Sequence, residues 1–294
     1  MGARPVITRL APRLAALAVS CALIASLAGC AAPHLESRNA DASKPGACES
    51  AYLTASAGTG GDAGTADEQP MMMRYLNELA ATNAWIDVAS TCTSRFAEGA
   101  MRSAQVAYAA ETLGTTLGVT PPTPPTVDYG DVVHLNAGAD ALAAMSLAED
   151  RAGFALEVLA ARGVENATLA ASDNHKTAAQ RLFSLSGASS DPRKKVYAVD
   201  KLIANPDMID DSAANVVAPT VAVIEMDCAR AYLDAMSGAT DTDSTDSTDS
   251  TETRGSDAVS PSHKTLAWLA RMAAARAWRA MELGYPSADS ALFQ

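Results

Sequence analysis

The 294-residue chain is acidic, with 34 Asp and Glu against 22 Lys and Arg and a formal net charge of −12. This charge argues against partners that are polyanions, namely nucleic acids and anionic lipid surfaces. Alanine is abundant and aromatic residues make up only 5% of the chain, a composition that favours closely packed helices over a β-sheet.

Residues 1–29 are typical of the export signal of a bacterial lipoprotein. Three arginines and no acidic residue precede an apolar run over residues 14–27, and Ala28-Gly29 then places small residues before Cys30. The run is shorter than the roughly 20 residues of a membrane-spanning helix, which argues against the alternative of a transmembrane anchor. A plain signal peptide with a coincidental cysteine is the other alternative. We therefore expect Cys30 to carry a lipid and to anchor the chain at the extracytoplasmic face of the cell membrane.

Three further cysteines lie beyond Cys30, in a compartment where disulfides persist. An odd number leaves one of them unpaired. Cys228 falls within an apolar helical pattern, so we interpret it as a buried core residue. Cys48 and Cys92 share the N-terminal region and form the predicted disulfide.

Composition divides the mature chain into four parts. Residues 30–69 are predicted to be a lipid-anchored flexible tether with a short helix at 48–57, and residues 70–118 an N-terminal helical module. The Pro-rich residues 119–132 form a linker, since proline runs cannot continue a helix. Residues 133–294 carry a helical bundle, interrupted by a disordered acidic insertion at 238–260. A calcium loop is the alternative for this insertion, but its Thr-Asp-Ser repeat lacks the glycine turn and the terminal glutamate of such loops.

Four helices are predicted after the linker, over about residues 136–162, 166–185, 213–236 and 262–283. Each places an ionisable residue on or beside its apolar stripe. These residues are, in chain order, Glu149, His175, Glu225 and Arg276. The pattern therefore predicts a buried polar cluster between the four helices.

Two interpretations of this cluster compete. Carboxylates and histidine inside a four-helix bundle can hold a di-metal centre, in which two helices each supply a Glu-x-x-His motif. Here the residue three before His175 is Ser172, and Arg276 would repel a cation. The alternative is an ion-pair network in which Arg276 neutralises Glu149, Glu225 or both, because a buried charge must find a partner. We favour the network and predict neither a metal nor another cofactor.

Four segments resemble a known family. They are Ala148-Glu149-Asp150-Arg151-Ala152, Asn174-His175-Lys176, the run from Ile224 to Tyr232, and the run from Leu266 to Arg279. Together they resemble the ferritin-like domain of unknown function of actinobacterial lipoproteins, over about residues 133–286. The resemblance implies a ferritin-like four-helix bundle without an assigned activity. Members often carry Glu-His and His-Arg where this chain has Glu149-Asp150 and His175-Lys176, so one candidate ligand is missing.

These observations favour an all-α, non-catalytic envelope lipoprotein that acts by binding an unknown envelope protein. No nucleophile motif such as Gly-x-Ser-x-Gly occurs, and no catalytic residue is predicted. The alternative function is a metal-binding ferritin-like protein with oxidase or metal-handling activity.

Overall fold

Helices dominate the computed structural model, which describes residues 44–58, 69–241 and 260–293. The described residues are mostly helical with few strands, which agrees with the predicted all-α class. The elements, in chain order, are α1 (Ala47–Gly58), α2 (Met71–Thr91), a 3-10 turn (Thr93–Arg95), α3 (Phe96–Leu117), α4 (Ala139–Ala161), α5 (Leu169–Ser186), α6 (Asp200–Ala204), β1 (Met208–Asp211), β2 (Val216–Pro219), α7 (Thr220–Asp241), α8 (His263–Glu282) and α9 (Asp289–Leu292).

Four long helices after the proline-rich segment surround one core. Helix α4 packs against α5 and α7, and α7 packs against α8. Their apolar stripes bury Leu142, Leu156, Leu182 and Leu269 almost completely. Alanines between these larger side chains allow the helices to approach closely. Burial of the apolar stripes, more than helix propensity, stabilises the helices.

The N-terminal helices pack onto the same core. Helices α2 and α3 form a hairpin that lies against α8, and α1 covers α2. From Gly46 onward the described residues form one compact unit, which includes the helices on both sides of the proline-rich segment. At Gly99 a Cβ would lie 2.5 Å from the backbone nitrogen of Ala89, so only glycine permits this crossing of α2 and α3.

The predicted disulfide is present. Cys48 on α1 is bonded to Cys92 at the end of α2, and the sequence separation is 44 residues. Tyr52 and Trp85 meet edge to face beside the bond, and Arg95 lies over the ring of Tyr52. The remaining cysteine of the described chain, Cys228, is free and buried, as expected.

The helix boundaries differ from the predicted ones in two places. Helix α5 begins after Thr168, whose hydroxyl accepts a hydrogen bond from the Ala171 backbone, rather than at Asn166, which takes a left-handed conformation. Helix α7 begins at Thr220 rather than near residue 213, because β1 and β2 form an antiparallel hairpin that turns at Asn215. Neither strand was predicted, since each has only four residues and one of the two buried residues of β1 is the charged Asp211, so no apolar alternation is visible.

Several predicted features lie outside the described residues. These are the export signal, Cys30, residues 31–43 and 59–68 of the tether, and residues 242–259 of the acidic insertion. Helix α7 continues to Asp241 and so extends into the predicted insertion. Among the described helices, none is both long and apolar enough to cross a bilayer.

Candidate functional site

The four predicted polar residues meet in the interior. Glu149 comes from α4, His175 from α5, Glu225 from α7 and Arg276 from α8, and none is more than 5% exposed. We call these four residues the buried cluster. Because each helix contributes one member, the cluster marks the point where all four helices converge.

Close contact between α4 and α5 positions His175 against Glu149. A Cβ at Gly153 would lie 3.0 Å from the carbonyl oxygen of Ser172 and 3.3 Å from the Cβ of His175. The hydroxyl of Ser172 donates to the carbonyl of Gly153 at 2.8 Å, and the hydroxyl of Ser146 donates to the carbonyl of Ala179 at 2.7 Å. These two bonds tie the helices together on either side of the Glu149–His175 contact.

Glu149 is the centre of the cluster, since both of its oxygens accept two hydrogen bonds. Oε1 accepts from Arg276 Nε at 3.1 Å and from the hydroxyl of Tyr232 at 2.7 Å. Oε2 accepts from Arg276 Nη2 at 2.7 Å and lies 2.6 Å from His175 Nδ1. The two bonds from Arg276 form the planar, bidentate pairing that a guanidinium makes best.

Glu225 is held less tightly. Its Oε1 lies 3.2 Å from His175 Nε2, and its Oε2 lies 3.5 Å from Arg276 Nη1. Both are ion-pair distances, but neither His175 Nε2 nor Glu225 Oε2 has a hydrogen bond of good geometry. Glu225 and Arg276 also line a surface cleft of ≈ 400 Å³ beside Pro124 and Pro125. Glu225 is therefore bound mainly through its charge, next to this cleft.

The charges of the cluster balance one another. Burial opposes ionisation of Glu149, but Arg276 and His175 outweigh it and lower the pKa of Glu149 to about 2. Burial likewise opposes ionisation of Glu225, but His175 and Arg276 lower its pKa. Burial and Arg276 lower the pKa of His175, but the carboxylates of Glu225 and Glu149 outweigh them and raise it. With His175 protonated, two carboxylates face two cations.

Two tyrosines extend the cluster in a way that the sequence analysis missed. Burial, and then the charge of Glu149, raise the pKa of both Tyr129 and Tyr232 well above its ordinary value, so both stay neutral. Tyr232 donates its only proton to Glu149, so Tyr129 must donate to the hydroxyl of Tyr232. Tyr232 follows Glu225 by seven residues, a helical spacing that could have revealed it. Tyr129 lies in the irregular segment between α3 and α4, where no periodic pattern signals burial.

Metal-ligand atoms also lie close together here. One atom each from Glu149, His175 and Cys228 falls within 4.8 Å of the other two. Two features disagree with a bound cation. Arg276 already forms an ion pair with Glu149. Burial together with the Glu149 charge raises the pKa of the Cys228 thiol well above its ordinary value. The donor set therefore suits a metal only if His175 and Cys228 lose protons and Arg276 moves away.

A second polar network lies at the hairpin and was not predicted. Asp211 Oδ2 accepts from Arg230 Nη1 at 2.8 Å and from the hydroxyl of Tyr285 at 2.6 Å. Arg230 Nη2 also donates to that hydroxyl at 2.6 Å. This network ties β1 to α7 and to the chain after α8. Its residues are far apart in sequence, which explains why no motif revealed it.

Comparison of the chain with protein-family models, with curated proteins and with solved structures finds no match.

Proposed function

We propose that this chain is an exported lipoprotein whose ferritin-like four-helix bundle serves as a rigid, non-catalytic scaffold for an envelope partner. The observation that supports a non-catalytic role is the saturation of Glu149, the centre of the buried cluster. Both oxygens of Glu149 are fully used by Arg276, His175 and Tyr232. A catalytic carboxylate needs a free oxygen directed at a substrate, and Glu149 has none.

Attachment of the scaffold to the cell membrane is proposed to occur through a lipid on Cys30. Wild-type cells fed a fatty acid with a terminal alkyne should yield a labelled protein, and Cys30→Ala should remove the label. Cys228→Ala is the matched control, because it removes a cysteine that is buried in the described fold. Equal labelling of the wild type and Cys30→Ala would contradict the lipoprotein assignment.

A metal-binding protein with oxidase or metal-handling activity is the second candidate. It is favoured by the proximity of Glu149, His175 and Cys228 and by the absence of a hydrogen bond at His175 Nε2. Metal-handling proteins use such imidazole, carboxylate and thiolate ligands.

Elemental analysis of protein purified without chelator separates the two candidates. The scaffold proposal expects far less than one iron, manganese or zinc per chain, and no change in metal content in His175→Gln. A stoichiometric metal in the wild type that is lost in His175→Gln would establish the second candidate and overturn the first.

A further inference from the structure

A pocket of ≈ 600 Å³ lies where α4 and α7 meet the connection that leads into α6. Small side chains create the space, since Ala148, Ala152 and Ala155 of α4 face Ala231 of α7 across it. This volume lies within the range of about 300–1,000 Å³ that small-molecule sites occupy.

Apolar residues outnumber polar ones in the lining of the pocket. Besides the alanines, the wall contains Val199, Leu202 and Ile224, and Val196 stands at the mouth with 69% of its surface exposed. Pockets that bind small molecules combine such a wall with a few polar groups that fix the ligand. The polar side chains of this lining are Arg151, Lys194, Tyr197 and Asp227.

Two of these polar residues are cations without ion-pair partners. Arg151 and Lys194 both line the pocket, and neither makes an ion pair with any residue that the structure describes. The guanidinium of Arg151 instead lies 5.7 Å from the ring centre of Tyr197. The acidic residue of the lining, Asp227, lies 3.1 Å from the side chain of Arg230, which also pairs with Asp211. The lining thus carries two cations against one carboxylate, in a protein whose net charge is −12.

We propose that this pocket binds a free amphipathic monoanion, namely a carboxylic acid with one aliphatic or aromatic chain. The carboxylate would pair with Arg151 and Lys194, and the chain would lie along the alanines of α4 and α7 toward Ile224. The buried cluster takes no part, because Arg276 and Glu149 do not line this pocket. The proposal is therefore independent of the scaffold role.

Decanoate is the probe, measured by isothermal titration calorimetry on the full chain carrying Cys30→Ala, which changes no described residue. Arg151→Gln/Lys194→Gln should weaken binding about tenfold, as expected when charge-assisted contacts are lost at a partly exposed site. Lys195→Gln is the matched control, because Lys195 neighbours Lys194 without lining the pocket, and its affinity should stay within about twofold of the parent.

Two further ligands test the chemistry. Decyltrimethylammonium has the same chain with the opposite charge and should not bind measurably. Dihexanoylphosphatidylglycerol has one anionic phosphate and two acyl chains, so it distinguishes a membrane lipid from a free acid and should bind more weakly than decanoate. Preference for either ligand over decanoate would overturn the proposal.

The location of the decanoate site is tested in two independent ways. Ala231→Leu fills the pocket from a half-buried helix position and should abolish decanoate binding while the circular dichroism spectrum stays that of the parent. A decanoate analogue with a diazirine should crosslink to residues 148–155, 194–202 or 224–231 of the parent protein, which needs no variant to fold. Unchanged affinity in a folded Ala231→Leu variant, or crosslinks confined to other segments, would refute this site.

Discussion

Arg276→Met should lower the free energy of unfolding by about 3–5 kcal/mol at neutral pH, because it strands a buried carboxylate. Arg276 supplies two of the four hydrogen bonds to Glu149 and an ion-pair contact to Glu225. Methionine fills a similar volume, so the loss reports the missing charge more than a cavity. Urea denaturation at pH 7 measures it.

Arg279→Met is the matched control for this experiment. Arg279 lies three residues further along α8, its side chain is 40% exposed, and it pairs with the exposed Glu282. Exposed pairs contribute little, so we expect a change within about 1 kcal/mol. Equal losses in Arg279→Met and Arg276→Met would show that the buried position of Arg276 has no special importance.

The pH dependence has a definite direction. The pKa of Glu149 is lowered to about 2 in the fold from an ordinary value of 4.5, so its contribution is present above pH 4.5 and is lost as the pH falls toward 2. Without Arg276 the pKa of Glu149 must rise, because the largest stabilising charge is gone. Lowering the pH should therefore recover part of the stability of Arg276→Met while it weakens the wild type.

A second substitution tests the same pairing without a change of pH. Adding Glu149→Gln to Arg276→Met removes the stranded charge and should restore part of the lost stability.

His175 contributes to stability in the opposite pH direction. Its pKa is raised, so its contribution is complete below its ordinary value of 6.5 and is lost as the pH rises through the higher folded value.

Cys48→Ala/Cys92→Ala should lower the free energy of unfolding by about 2–4 kcal/mol, because the open chain gains conformational entropy when the loop of 44 residues is no longer closed. The loss of local stability should be greatest in α1, which packs mainly on α2. Hydrogen exchange should show α1 losing protection first, while α4 and α5 lose no more than the global change. Equal stability of the oxidised and disulfide-free proteins would contradict this expectation.

The positions of the cluster residues could be predicted because each interrupts an apolar stripe with a period that the helix imposes. Glu149 lies between Leu142 and Leu156 at seven-residue spacing, and Arg276 lies among buried alanines of α8. How the charges pair could not be predicted. That Glu149 takes both strong bonds of Arg276 while Glu225 stays at 3.5 Å depends on side-chain geometry that no stripe specifies.

Contacts made by residues outside the long helices were also beyond prediction. Tyr129 lies in a segment without period, yet its hydroxyl completes the hydrogen bonding of Tyr232. Asp211 joins Arg230 and Tyr285 only because the hairpin folds back on α7. Such residues are brought together by the tertiary fold and leave no signal in local composition.

During biosynthesis, Glu149, His175 and Glu225 leave the ribosome before Arg276, since α8 is the last long helix of the described chain. Until then the two carboxylates have only His175 as a cation, and α2, α3 and α7 have no α8 surface to pack against. The nascent chain therefore cannot complete this core until α8 is made.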